Sequence, residues 1–262
     1  MVRGPSPVLT RRLGLAAPAF AAPLAAFAYF LAAPALPALP AGDVTVLVAG
    51  SIGLLLVAAS TLALLPAREM LIGPLLIALG TGLLVAALNS DGAHGVGAGA
   101  NVFEALLAGA CGLLLARWLA GPFIAVAIPL FVAAIDVWSV ASGPSSQLLA
   151  GGTDRVDVLS FDLPAWGDAG GAGHLGLSDA VFLAMFAAWA WRYGLRRRAT
   201  IAGMLLGLVG ALVLSVTFDR AIAALPFVAA GYLLPNVDRV RALVSGARRA
   251  PPTEQQHAVA VE

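Results

Sequence analysis

Eight runs of apolar residues dominate this chain of 262 residues and constrain its fold more than any motif does. They cover residues 13–36, 44–65, 70–88, 102–119, 122–142, 175–191, 200–217 and 221–235. A helix needs about 20 apolar residues to cross a bilayer, which is close to the length of most of these runs. Only 11% of the residues are charged, too few for the surface of a water-soluble domain. The sequence therefore predicts an all-α, polytopic transmembrane helical bundle with about eight spans.

Thirteen of the fifteen arginines lie at one set of ends of these runs and predict the orientation of the bundle. They are Arg3, Arg11, Arg12, Arg68, Arg117, Arg192, Arg196, Arg197, Arg198, Arg239, Arg241, Arg248 and Arg249. Because basic residues favour the cytoplasmic side, we expect both termini in the cytoplasm and the loop 143–174 outside. The basic start and apolar run before Asp43 also fit a cleaved signal peptide, although the length and the prolines of the run favour a retained helix.

Two aspartates, Asp136 and Asp179, lie inside apolar runs. An ionisable side chain at membrane depth costs a few kcal/mol, so it marks a functional site by default. At a rise of about 1.5 Å per residue, Asp136 and Pro226 lie about 10 Å below the outer surface, and Asp179 about 5 to 8 Å below it. Three segments that are distant in the sequence are thus predicted to meet at one level.

Two neighbouring carboxyl groups favour acid–base chemistry. Held close together they share one proton, so that one can activate a water while the other polarises a carbonyl group. Two membrane aspartates would equally serve as the protonation sites of a small proton-coupled transporter. The histidines His94, His174 and His257 are too scattered for a metal site, and no metal or organic cofactor is expected.

Three motifs resemble those of one protease family. The segment Gly176-Leu177-Ser178-Asp179 resembles the G-x-G-D motif of the presenilin and signal peptide peptidase family, and Asp136 resembles the aspartate of that family's preceding catalytic helix. The segment Ala224-Leu225-Pro226 resembles its P-A-L motif. The order of the motifs agrees over residues 122–235. The resemblance implies a presenilin-like bundle that hydrolyses peptide bonds of transmembrane helices or remnant signal peptides.

The same resemblance implies roles for particular residues. Asp136 and Asp179 would be catalytic, and the predicted substrate-binding residues are Gly176, Leu177, Ser178, Ala224, Leu225 and Pro226. The expected setting is a multi-pass protein of a prokaryotic cell membrane, with the lipid bilayer and membrane-embedded peptides as partners and no nucleic acid. Residues 1–120 would form the N-terminal helices, 121–238 the catalytic core and 239–262 a disordered cytoplasmic tail. The sequence does not indicate an oligomeric state.

The chain departs from the family pattern in four ways. Ile135 replaces a tyrosine, Ser178 replaces the second glycine of G-x-G-D, and Ala223 replaces the first proline of P-A-L-P, which leaves Pro226 alone to interrupt helical hydrogen bonding. The family norm is nine spans. These departures keep open a catalytically inactive, substrate-binding homologue. Prepilin peptidases also pair membrane aspartates, but toward the cytoplasmic face.

The outer loop adds two weaker patterns. Residues 156–163 alternate and are β-prone, and Pro164 ends the pattern. The resemblance implies that such a strand pairs with an unwound substrate, although an ordinary surface loop fits equally. The glycine-rich residues 167–173 indicate a flexible link before Asp179. Glu104 and Arg117, near the two ends of the fourth run, are interpreted as interfacial anchors.

Overall fold

A computed structural model describes residues 21–66, 97–142, 160–167 and 173–249. Four of its helices are long and apolar enough to cross a membrane: Gly42–Leu62, Asn101–Trp118, Ile124–Ser142 and Arg197–Phe218. The mostly helical chain is therefore a membrane protein by the length and composition of its helices. Parts of several predictions lie outside the described residues, namely residues 13–20, the run 70–88, the loop residues 143–159 and 168–172, and the tail 250–262.

The elements follow one another in chain order. They are α1 (Ala21–Ala35, with a 3-10 last turn at Ala33–Ala35), α2 (Gly42–Leu62), α3 (Gly97–Trp118), α4 (Ile124–Ser142), β1 (Ser160–Leu163), β2 (Gly173–Gly176), α5 (Leu177–Arg192), α6 (Arg197–Phe218), α7 (Leu225–Leu233), a 3-10 turn (Leu234–Asn236) and α8 (Val237–Arg249).

Helix α5 lies at the centre of the bundle and contacts α2, α3, α4, α6 and α7. Its side chains from Leu183 to Ala190 are buried, and the indole of Trp189 donates a hydrogen bond of 3.2 Å to the carbonyl of Ala116. Helix α3 approaches so closely that a Cβ added at Gly112 would lie 2.7 Å from the Cβ of Ala184. Small residues permit this approach, and close packing is the main attraction between helices in lipid.

A second close contact joins α6 to the short helix α7. A Cβ added at Gly203 would lie 2.6 Å from the carbonyl oxygen of Gly231, and one added at Gly207 would lie 2.5 Å from that of Phe227. The two glycines are four residues apart and form one smooth strip on α6, as in other small-residue helix contacts. Helix α7 is therefore seated directly on the backbone of α6.

A two-stranded antiparallel hairpin leads directly into α5. Its register pairs Ser160 with Gly176 and Asp162 with His174. The amide of Asn101 on α3 donates to the carbonyl of Asp162 (3.1 Å) and accepts from its N–H (3.2 Å), and so occupies the outer edge of β1 as a neighbouring strand would. The predicted β-prone segment 156–163 is thus a strand at Ser160–Leu163, while residues 156–159 lie outside the described residues.

Several predicted boundaries were wrong. Leu175 belongs to β2 and not to the helix that follows. The run 221–235 forms an α-helix only over Leu225–Leu233, with non-helical residues 221–224 before it and a 3-10 turn at Leu234–Asn236 after it. Pro226 does not interrupt this helix, because it lies in the first turn, where its missing N–H costs nothing.

The predicted disordered tail is also partly structured. Residues 239–249, assigned to the tail with 250–262, continue the helix α8. Valine and leucine recur at helical spacing between the arginines of this segment and favour a helix with one apolar side.

Candidate functional site

Asp136 lies on α4, where its carboxylate meets the beginning of α7. The N–H of Leu225 donates a hydrogen bond of 2.9 Å to Asp136 Oδ2, and the backbone of Ala224 contributes a second bond. Leu225 is the first residue of α7, and N–H groups in a first helical turn have no acceptor within the helix. The carboxylate satisfies these donors and lies at the positive end of the helix dipole.

Asp179 is the third residue of α5 and is only 8% exposed. Its carboxylate accepts a hydrogen bond from the backbone of Gly176, the residue that caps the helix. An acidic side chain at this position commonly reaches back to the cap in this way. The approach is close, since a Cβ added at Gly176 would lie 3.1 Å from Asp179 Oδ2. A side chain at position 176 would therefore crowd the carboxylate.

The two carboxyl groups lie within electrostatic range of each other, and the helices that carry them, α4 and α5, are in contact. Each lies at the N-terminus of a helix, Asp179 on its own helix and Asp136 against α7. Two carboxyl groups that are held close together can share one proton. The structure therefore brings together Asp136, Asp179 and the Ala224–Leu225 segment.

A cavity of about 560 Å³ adjoins Asp179. Asp179 and Ala224 are part of its lining, together with residues of β2, α2 and the second half of α6. The apolar lining residues are Val46, Leu54, Leu163, Leu175, Leu208, Ala211, Leu212, Val216, Ala221 and Ile222. Charged lining residues are Asp43, Asp219 and Arg220. An apolar cavity with a carboxyl group in its wall is suited to an apolar segment that presents one polar bond.

The predicted substrate-binding residues fall into different environments. Ala224 lines the cavity, Leu225 is buried and contributes its N–H to Asp136, and Gly176 contacts the carboxylate of Asp179. Leu177 and Pro226 are half-buried, and Leu177 packs against the core. Ser178 is exposed. The structure therefore places three of the six residues at the carboxyl groups or in the cavity wall.

The sequence did not reveal the roles of two polar residues near Asp162 of the hairpin. Asn101 secures β1, as described above, and Glu104 follows it by one helical turn. Glu104 was interpreted as an interfacial anchor, which is wrong, because the side chain is only 3% exposed. Its Oε1 has no hydrogen-bond partner among the described residues. Their spacing of three residues places both on one face of a helix, and that spacing is the signal that would have identified them.

No family model, curated protein or solved structure matches the chain. The site is therefore defined by its own residues: two adjacent carboxyl groups, the N-termini of α5 and α7, and the cavity beside them. The hairpin β1–β2 adds an extended segment that borders this cavity through His174 and Leu175.

Proposed function

We propose that the protein is an intramembrane aspartyl protease in which Asp136 and Asp179 form the catalytic dyad. Its substrates would be transmembrane helices or remnant signal peptides. The observation that supports this most is the proximity of two carboxyl groups on two apolar helices in contact, one of which, Asp179, lines a cavity with mainly apolar walls. Such an arrangement costs free energy at membrane depth and is maintained where chemistry needs it.

In this mechanism the dyad holds one proton. The ionised carboxylate removes a proton from a bound water as the water oxygen attacks the scissile carbonyl carbon. The protonated carboxyl donates to the carbonyl oxygen, as in other aspartic proteases. The C–N bond then breaks, and the leaving nitrogen takes a proton from the dyad. The acid and base roles belong to the pair and not to either aspartate alone.

The hairpin would present the substrate. An unwound segment adds as a strand beside β2, so that backbone hydrogen bonds hold it with little dependence on side chains. The amide of Asn101 already occupies the outer edge of β1, and β2 borders the cavity. Strand addition on the β2 side therefore delivers the substrate toward Asp179, which follows β2 by three residues.

The side chains that depart from the family pattern leave the site unobstructed. Ile135 is 44% exposed and Ser178 is also exposed, so neither substitution fills the space between the carboxyl groups. Ala223 precedes the backbone groups that contact Asp136, and those groups do not depend on a side chain. The proposal includes a presenilin-like bundle of about eight spans in a prokaryotic cell membrane, with cytoplasmic termini and the site in the outer half.

The test is cleavage of a model transmembrane substrate by purified protein in detergent. Asp136→Asn and Asp179→Asn should each reduce the rate by about 100-fold or more, because each removes one partner of the acid–base pair. Asp238→Asn, at the other end of α6, serves as the matched control and should retain the rate.

Absence of cleavage by folded wild-type protein would refute the proposal. Proton-coupled flux in proteoliposomes that depends on Asp136 and Asp179 would then establish the transporter, and substrate binding without cleavage or flux would establish the inactive homologue.

A further inference from the structure

A second surface lies at the opposite end of α6 from the cavity, where α8 begins. The apolar residues Val237, Val240, Leu243 and Val244 recur at helical spacing on one side of α8. Leu243 packs against the core of the bundle, whereas Val237 is 38% exposed. The helix therefore has an apolar side that the bundle covers only in part.

The start of α8 is fastened to the turn between α5 and α6. The guanidinium of Arg196 donates to both carboxylate oxygens of Asp238, at 2.8 and 2.9 Å. Arg239 donates to the carbonyl of Gly194. The buried amide of Asn236 accepts from the N–H of Arg196 at 2.8 Å and donates to Thr200 at 2.7 Å. Helix α8 is thus held at the level where α5 ends and α6 begins.

The charge at this level is strongly positive. Residues 190–200 and 237–249 contain eight arginines and one acidic residue, Asp238. That acid is already paired with Arg196. Arg197 lies 3.7 Å from the ring centroid of Trp191 and keeps its charge in this contact. All of the positive charge is guanidinium, which binds phosphate through paired N–H groups better than a lysine does.

We infer that α8 and the α5–α6 turn form a binding surface for the phosphate headgroups of anionic phospholipids. Helix α8 lies in the membrane interface, with its apolar side toward the acyl chains and its arginines among the headgroups. A signal that only orients the chain needs positive charge near the ends of the spans. Such a signal does not need an amphipathic helix. Helix α8 has both the positive charge and an apolar side, and an interfacial helix inserts its apolar side among the acyl chains. The inference is independent of proteolysis.

The experiment uses the full-length chain in lipid nanodiscs, with an environment-sensitive fluorophore at Val244→Cys in a Cys111→Ser background. The measured quantity is quenching of the fluorophore by neutral acrylamide. Discs that contain phosphatidylglycerol should protect the fluorophore severalfold better than discs of phosphatidylcholine. The difference should shrink at high salt, because ions screen the attraction between exposed charges.

Arg241→Gln sharpens the test, because this exposed arginine has no role in the anchoring contacts at Asp238 and Gly194. Neutralising it should reduce the lipid-bound population in phosphatidylglycerol about fivefold. The matched control is Arg220→Gln, at the far end of α6, which should change nothing. Added inorganic phosphate should not protect the fluorophore in phosphatidylcholine discs.

Two results would overturn the inference. Equal exposure in both lipids would show that α8 does not enter the interface. Equal protection in both lipids, insensitive to salt and to Arg241→Gln, would show that α8 is covered by protein instead. Either result leaves the protease proposal intact, because neither involves Asp136 or Asp179.

Discussion

The two helices that carry the aspartates differ sharply in their surroundings. Helix α5 is buried along most of its length and contacts five other helices, so Asp179 belongs to the core. Helix α4 exposes Leu130, Phe131, Val137 and Trp138 and packs mainly against α7. One half of the site is thus fixed by the centre of the bundle, and the other lies at its edge.

The difference shows what sets the distance between the two carboxyl groups. Asp179 does not shift unless the core unpacks, whereas Asp136 is positioned by α7 through the N–H of Leu225. Helix α7 in turn rests on the glycine strip of α6. The geometry of the site therefore depends on one chain of contacts, from α6 through α7 to α4.

The largest difference between α5 and α4 should appear when one tryptophan on each helix is replaced by alanine. Trp189→Ala on α5 should destabilise the protein by about 3 to 5 kcal/mol, because the side chain is fully buried and donates a hydrogen bond to Ala116. Trp138→Ala on α4, where the side chain is 59% exposed, should cost less than about 1 kcal/mol. Denaturant unfolding in detergent measures both. Equal losses would contradict the contrast between core and edge.

The second prediction concerns the contact that holds α7. Gly207→Ala should destabilise the protein by about 1 to 3 kcal/mol, because the new methyl group would overlap the carbonyl of Phe227. Gly210→Ala on the same helix is the matched control, since nothing lies within 4 Å of its added Cβ, and should be neutral or slightly stabilising. Thermal unfolding compares the two. Because α7 positions the carboxylate of Asp136, Gly207→Ala should also reduce the cleavage rate. An unchanged rate would show that α7 does not position Asp136.

The third prediction concerns the β1–β2 hairpin, which precedes α5, the buried helix that carries Asp179. Asn101→Leu removes both partners of the backbone groups of Asp162 and should cost about 1 to 2 kcal/mol. Hydrogen exchange at Asp162 should accelerate, while exchange within α5 should stay slow. Accelerated exchange along the whole of α5 would show instead that the core depends on the hairpin.

The smallest effect concerns the ion pair between Arg196 and Asp238, which lies outside both halves of the candidate site. Desolvation opposes ionisation of Asp238, but its hydrogen bonds to Arg196, the nearby backbone N–H groups and the positive charge outweigh it and lower the pKa of the carboxyl. A lowered pKa means that the anchor of α8 is intact above about pH 4 and is lost as the pH falls through the lower value of the folded state. A spin label at Val244→Cys should gain mobility in that range. Asp238→Asn should abolish this pH dependence.

The sequence predicted the helical bundle well because apolar composition alone specifies membrane helices. The α-helices α2, α4 and α6 begin and end within a few residues of their predicted runs. Short elements were predicted less well. Composition does not show that the run 221–235 is α-helical only over the nine residues of α7, and Leu175 is apolar whether it lies in a strand or in a helix.

Parts of the site were not predictable for a different reason. The types and depths of Asp136 and Asp179 marked them, but their partners are backbone groups at Leu225 and Gly176, which no side-chain pattern reveals. The pairing of Asn101 with Asp162 joins residues 61 positions apart. Glu104 was misplaced because proximity to the end of an apolar run does not show which way the side chain faces.

The most direct test of the shared site is a cross-link between Asp136→Cys and Asp179→Cys in a Cys111→Ser background. The protein reacts with a short bifunctional thiol reagent, and mass spectrometry of the intact protein detects the bridge. The account predicts an intramolecular bridge between the two cysteines. The pair Asp136→Cys and Asp238→Cys should form none, because Asp136 contacts Leu225 and the helical stretch from Leu225 to Asp238 rises about 20 Å. If each of the cysteines at 136 and 179 reacts with its own reagent molecule and no bridge forms, the account is contradicted, because the two side chains would then not share one site.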